Sequence, residues 1–165
     1  NQGGYGGQWV GAEAILSPQL LSDLSDVVEG MYITSPQTAN SETFQSNMGG
    51  TGNITQFAPH AYDATYLMGF AMEAAGEASG TGIAQNVRSV YRPNSDSDTA
   101  VSVGEFEAGA EAIRNGENID YNGASGSVDL NQNLEPVVPY RILRVQDGEA
   151  NVTEEVPLSY FDGKI

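Results

Sequence analysis

The sequence predicts an α/β fold with a mainly parallel sheet. Strand-like segments alternate with helix-like ones along the chain. Met31-Tyr32-Ile33 is an unbroken apolar run between Gly30 and Pro36, the pattern of a strand buried on both faces. From Phe57 to Glu77, small and apolar residues recur at helical spacing.

Asn1 to Gly7 holds four glycines and reads as a flexible lead-in. Gln8 to Ala12 is a short strand, and Glu13 to Leu16 is the loop after it. Ser17-Pro18 marks a helix start, with Ser as N-cap and Pro in the first turn. Leu20, Leu21 and Leu24 form that helix's expected apolar face. Gly30 to Ser35 is the next strand, and Pro36 ends it. Gln37 to Gly50 reads as a polar, irregular helix around Phe44 and Met48. The glycines of Met48-Gly49-Gly50-Thr51-Gly52 make a loop.

The central helix follows. Pro59 is tolerated only in a first turn, so the start falls between Thr55 and Ala58. Phe57, Ala61, Ala64, Met68, Ala71 and Ala75 share one stripe, expected to face inward. Asp63, Glu73 and Glu77 fall off it and are expected to face water. Gly76 is the expected C-cap. Gly82 to Arg92 is a second helix with Ile83, Val87 and Val90 inward. Pro93 to Asp98 is a surface loop. Ser102-Val103-Gly104-Glu105 matches a capping box, and its helix carries Phe106, Ala110 and Ile113 on one side before Asn115-Gly116. Val137 to Val145 is a strand; Asn151 to Leu158 is another strand or an extended tail.

A length of 165 residues suits one domain. No apolar run is long enough to span a bilayer. Without Cys, neither a disulfide framework nor a thiolate zinc site can form. Acidic residues number 22 against 6 basic ones, a net charge of −16, and the one lysine is Lys164. Such a surface repels nucleic acid and anionic lipid. An acidic disordered chain is disfavoured, because 39% hydrophobic residues in periodic arrangement can build a core. A cation site is disfavoured too, since the acids are scattered rather than set at ligand spacing. Adaptation to concentrated salt, which screens self-repulsion, is the preferred explanation.

Glu13 is the leading site candidate, because it follows a strand, where open α/β sheets bind ligands. The plainer alternative is a solvated loop acid near the Ser17 helix start. Ala12, Ala14 and Ile15 flank it as weaker candidates for pocket lining. His60 is the only histidine, which rules out a multi-His metal site. A His60–Asp63 pair has helical spacing, but no activated nucleophile accompanies it, and a surface His is the expectation. Asn94, Asp96 and Asp98 imitate the start of a calcium loop yet lack its later Gly and Glu. Gly49-Gly50-Thr51-Gly52 lacks the Lys of a phosphate loop. Tyr62 and Tyr66 read as packing residues. Asn53-Ile54-Thr55 and Asn151-Val152-Thr153 are glycosylation sequons, meaningful only in an exported chain.

Several stretches carry a family likeness. Tyr62-Asp63-Ala64-Thr65-Tyr66-Leu67-Met68-Gly69-Phe70-Ala71-Met72-Glu73-Ala74-Ala75-Gly76 resembles a helix of type I periplasmic binding proteins, the solute-binding subunits of branched-chain amino-acid ABC transporters. Trp9-Val10-Gly11-Ala12-Glu13 resembles their strand-to-loop with an acidic ligand contact. Val28 to Pro36 resembles the following strand, entering a crossover. Tyr121-Asn122-Gly123-Ala124-Ser125-Gly126-Ser127-Val128-Asp129-Leu130 is similar to the stretch before the last crossover, and Tyr140 to Val145 to the final strand. The likeness runs from about Trp9 to Val145, in order.

It implies two Rossmann-like lobes with parallel sheets flanked by helices, this chain being the C-terminal part. Residues 1–35 would belong to ligand-binding lobe 2, residues 36–135 to lobe 1, and residues 136–165 to return strands of lobe 2 and a tail. Glu13 would pair with a ligand's α-ammonium group, a contact that offsets the cost of a partly dry carboxylate. The implied function is capture of an amino acid or similar small polar ligand by hinge closure, then delivery to an ABC permease. The implied location is extracytoplasmic, with a lipid anchor in upstream sequence; the chain starts without Met or an apolar leader. Other expected partners are the N-terminal portion of the same protein and no nucleic acid. No cofactor, metal or catalytic residue is implied. A ligand-sensing receptor domain of the same fold is the alternative, and a flavodoxin-like enzyme a more distant one.

Overall fold

The computed structural model describes residues 6–48, 55, 57–91 and 98–163. The chain forms two compact units: Asn1–Gln37 with Val138–Ile165, and Thr38–Val137.

The first unit is built on a four-stranded sheet. Its strands are β1 (Val10–Ala12), β2 (Tyr32–Pro36), β5 (Tyr140–Gln146) and β6 (Glu149–Val156), in spatial order β1-β2-β5-β6. Two further strands, β3 (Thr99–Ser102) and β4 (Ile119–Asn122), lie in the other unit. β1 and β2 run parallel, with Ala12 opposite Thr34. β2/β5 and β5/β6 are antiparallel. The sheet is therefore mixed, which corrects the expected mainly parallel one. The β5/β6 pair has a local cause: Asp147 and Gly148 both adopt positive φ, 54° and 78°, which turns β5 straight back into β6 as a two-residue hairpin. Asp-Gly is a strong hairpin signal that the expected strand-or-tail after Val145 overlooked. The Glu29 carboxylate accepts the Asp147 N–H at 2.9 Å and ties the turn down.

Glu13–Ile15, expected as loop, forms one turn of 3-10 helix directly after β1. Helix α1 (Pro18–Asp23) starts as expected, the Ser17 hydroxyl accepting from the Leu20 N–H. Helix α2 (Ser25–Val28) follows. Leu21 and Val28 close over Ile33, Leu143 and Val145, with Ile15, Leu16, Met31 and Ala150 at the margin. Leu20 and Leu24, expected inward, are exposed at 39% and 41%: of the two leucines in this six-residue helix only Leu21 turns onto the sheet, and Leu24 is the C-cap beyond it. On the opposite sheet face Val10, Ala12, Thr34 and Arg144 are exposed, and the Arg144 guanidinium lies 5.7 Å from the ring of its cross-strand partner Tyr32.

The second unit contains α3 (Ser41–Asn47), α4 (Ala58–Ala75), α5 (Gly80–Val90), β3 (Thr99–Ser102), α6 (Phe106–Arg114) and β4 (Ile119–Asn122). β3 and β4 pair in parallel with α6 as their crossover. Neither strand was expected; each is four residues long and shows no long apolar run. Glu105 accepts the Ser102 N–H at 2.8 Å, the back-reaching half of the capping box. The core joins Phe70 and Ala71 of α4 to Val87, Tyr91, Val101, Ala110, Ile119, Tyr121, Val128 and Leu130. Ile83, Val90, Phe106 and Ile113 pack against it as expected. Phe44 is buried with Val103 and Ala124, whereas Met48, expected beside it, is 59% exposed.

Helix α4 starts and stops where expected, ending at Gly76 in the left-handed conformation. Its rotation is not the expected one. Phe57, Ala61, Ala64 and Met68 of the predicted stripe face outward, and the buried residues are Pro59, Asp63, Phe70 and Ala71. Small residues tolerate either side. Phe70 and Tyr66 decide the rotation, because their rings stack with Phe106 and Tyr121. That rotation carries Asp63, expected in water, to 2% exposure.

Candidate functional site

Two places concentrate polar groups on ordered backbone. The first is the carboxyl end of β1. Ala12 is extended and the chain then winds into the 3-10 turn, closed by Leu16 N–H to Glu13 O at 2.9 Å. Gly11 permits this tight return, since a Cβ there would lie 2.5 Å from Ile15 Cδ1. Glu13 is half-buried, and its carboxylate makes no hydrogen bond or ion pair with another described residue. Ala12 and Ala14 are exposed. Ile15 packs into the core of the first unit. Thr34, opposite Ala12 at the same end of the parallel pair, is exposed beside them. This end can offer a carboxylate and a hydroxyl to a small cationic or polar group.

The second place is Asp63. Its Oδ1 accepts from the Tyr121 hydroxyl and the Ala124 N–H, both at 2.8 Å. Its Oδ2 accepts from the Ser125 N–H at 2.7 Å and the Ser125 hydroxyl at 2.5 Å. Four donors on two oxygens match a carboxylate acting only as acceptor. Gly123 is required beside it, because a Cβ there would run into the carboxylate. Asp63 thus holds the turn after β4 and has no spare lone pair aimed at a substrate. His60, one turn earlier, is not among its partners; its ring lies 6.1 Å from that of Phe57.

Tyrosines surround this acid. Burial pushes the Tyr121 and Tyr91 phenols well up, and the nearby Asp63 charge pushes both further. Burial, then the 2.7 Å bond with Tyr66, raises Tyr62 to about 12. Tyr62 and Tyr66 are packing residues, their rings stacked at 4.6 Å. No spacing in the sequence pairs Asp63 with Tyr121–Ser125, which lie 58 or more positions away. The one available signal was that both stretches carry the family likeness. Among the described residues, no group of three His, Asp or Glu could hold a metal ion. Asn94, Asp96 and Asn53 lie outside the described residues, whereas Asn151 is exposed on β6.

Residues 7–148 match the family model of the receptor family ligand binding region. The chain belongs to the receptor ligand-binding-region family. The match runs through both units. A relative in Halobacterium salinarum, the chemotactic signal transduction system substrate-binding protein BasB, is 28% identical over 159 residues. The alignment covers 94% of this chain and 38% of that protein. Among solved structures, the leucine binding protein LivK from Thermotoga maritima superposes with a TM-score of 0.59 at 19% identity. It is matched over 94% of this chain and 39% of its own. The α/β architecture of the type I periplasmic-binding proteins is therefore shared, and the chain spans about two fifths of each relative. Family and relatives are binding proteins, not enzymes.

Proposed function

We propose that the chain is part of an extracytoplasmic solute-binding protein that captures an amino acid or similar small polar ligand. In this reading the first unit contributes to ligand-binding lobe 2 and the second to lobe 1, and the ligand is held by hinge closure. Glu13 receives the ligand's ammonium group, with Ala12 and Ala14 beside it, and the captured ligand passes to an ABC permease. The observation that carries the reading is the half-buried Glu13 carboxylate at the carboxyl end of a parallel strand pair, free of partners among the described residues, in a chain of a ligand-binding family. Calorimetric titration of the full-length protein with L-leucine and the other amino acids tests it. Saturable heat with at least one of them is the expected result; none with any would overturn amino-acid capture.

A second reading sends the bound ligand to a signalling partner rather than a permease. The BasB relative, named as part of a chemotactic signal transduction system, favours it. Deleting the gene separates the two: loss of labelled leucine uptake supports delivery to a permease, and loss of attraction with uptake intact supports sensing.

A further inference from the structure

The chain passes between its units at two places, after Gln37 and after Val137. Hydrogen bonds fasten both connections close to these points. On the side of the first unit, the Gln37 N–H donates to Pro139 O at 2.9 Å, just beyond the Pro36–Tyr140 pair of β2 and β5. On the side of the second unit, the Ala39 N–H donates to Ser125 O at 3.2 Å. The Asn40 amide donates to Asn122 Oδ1 at 2.9 Å and to Gly123 O at 2.7 Å. The returning connection is held as far as the Leu130–Pro136 bridge. Between these ties lie Thr38 on one connection and Val137-Val138 on the other.

The three acceptors for Ala39 and Asn40 belong to the last residue of β4 and the turn that follows it. That turn closes on itself through Gly123 and Gly126, whose N–H groups each donate to the other's carbonyl. It is anchored to α4 by Asp63, through two backbone amides and the Ser125 hydroxyl. The load path therefore runs from the incoming chain through Asn40 to the 122–126 turn and on to a buried carboxylate in α4.

We propose that Asn40 and Asp63 are hinge-positioning residues: they fix the incoming connection to the second unit and confine bending between the units to Thr38 and Val137-Val138. This rests on the closure reading above and names the residues that set its axis. Hinges absorb backbone change in a few loop positions whose neighbours are held.

The test uses the full-length protein carrying Gln19→Cys and Glu111→Cys, exposed positions on α1 and α6 of a chain that has no cysteine. Spin labels there report the spread of distances between the units. Asn40→Ala removes both amide bonds, and no cap to α3 is lost with them, because the Asn40 side chain makes none. Asp63→Asn is the second variant: Ala124 and Ser125 present N–H groups to different oxygens, so an amide must face one of them donor to donor. Each variant should widen the distance distribution about twofold, while Asn86→Ala on α5, a control outside this path, leaves it unchanged. If Asp63→Asn does not fold, Asn40→Ala decides alone. A folded Asn40→Ala with the parent's distribution would overturn the positioning role. L-leucine that fails to shorten the distance in the parent, with both variants still broadened, would overturn closure and support the positioning.

Discussion

Asp63 takes both donors of Ser125, the backbone N–H at 2.7 Å and the hydroxyl at 2.5 Å, on one carboxylate oxygen. Removing that oxygen strands a backbone amide in a place water reaches poorly. Asp63→Ala also strands the buried Ala124 N–H. With about 1–3 kcal/mol for each unsatisfied buried group, the variant should lose at least about 3 kcal/mol. Ser125→Ala, which deletes only the hydroxyl, should lose about 1 kcal/mol. Urea denaturation of both reads the difference, and equal losses would show that the amides find other partners.

Gly109 sits on α6 where a Cβ would lie 2.6 Å from two ring atoms of Phe70, a residue with no exposed surface. Gly109→Ala should cost about 1–3 kcal/mol by overpacking, which outweighs the roughly 1 kcal/mol that alanine gains over glycine in a helix. Gly80→Ala is the counterpart, because nothing lies within 4 Å of its Cβ position. It should be neutral or slightly stabilising. A stable Gly109→Ala by the same denaturation assay would mean that Phe70 can move.

High pH should unfold the protein through its tyrosines. Tyr62, raised to about 12, and Tyr91 and Tyr121, raised further, bind their protons more tightly when folded than the unfolded chain does. Their contribution is complete below the unfolded value of about 10 and is lost as pH climbs through that value toward the folded ones. Absorbance at 295 nm should therefore show a late phenolate step that coincides with loss of the far-ultraviolet helix signal. Ionisation complete by about pH 11 with the helix signal intact would contradict the burial of these phenols.

Glu13→Gln in the full-length protein should weaken amino-acid binding by about 2–4 kcal/mol, the cost of leaving a buried ammonium unpaired. Stability should change little, because Glu13 has no partner among the described residues. Unchanged affinity by calorimetry would remove it from the site.

With a net charge of −16, self-repulsion should dominate at low ionic strength. The melting temperature should climb steeply between low and molar KCl. A flat profile would mean that the acids are locally compensated, as Glu107 is by Arg114 at 2.9 Å.

The sequence by itself determined the α/β class, the helix starts at Ser17 and Gly76's role at the end of α4, because these depend on caps, proline and spacing that neighbours in the chain supply. The strand at Tyr32–Pro36 was legible from the Met31-Tyr32-Ile33 run, although its burial alternates instead of covering both faces, and Tyr140–Gln146 falls within the expected strand region from Val137. The order of the residues also marked Glu13 as the acid that follows the first strand, and the structure seats it on a 3-10 turn at that strand's end. Only the tertiary structure decided which way α4 is rotated. Its stripe of alanines can face either side, and the choice falls to aromatic rings brought in from α6 and β4. The same rotation turned Asp63 from an expected surface acid into the buried anchor of the 122–126 turn. A carboxylate can be buried only where donors converge, and here they come from residues some sixty positions along the chain, a meeting that no local pattern records.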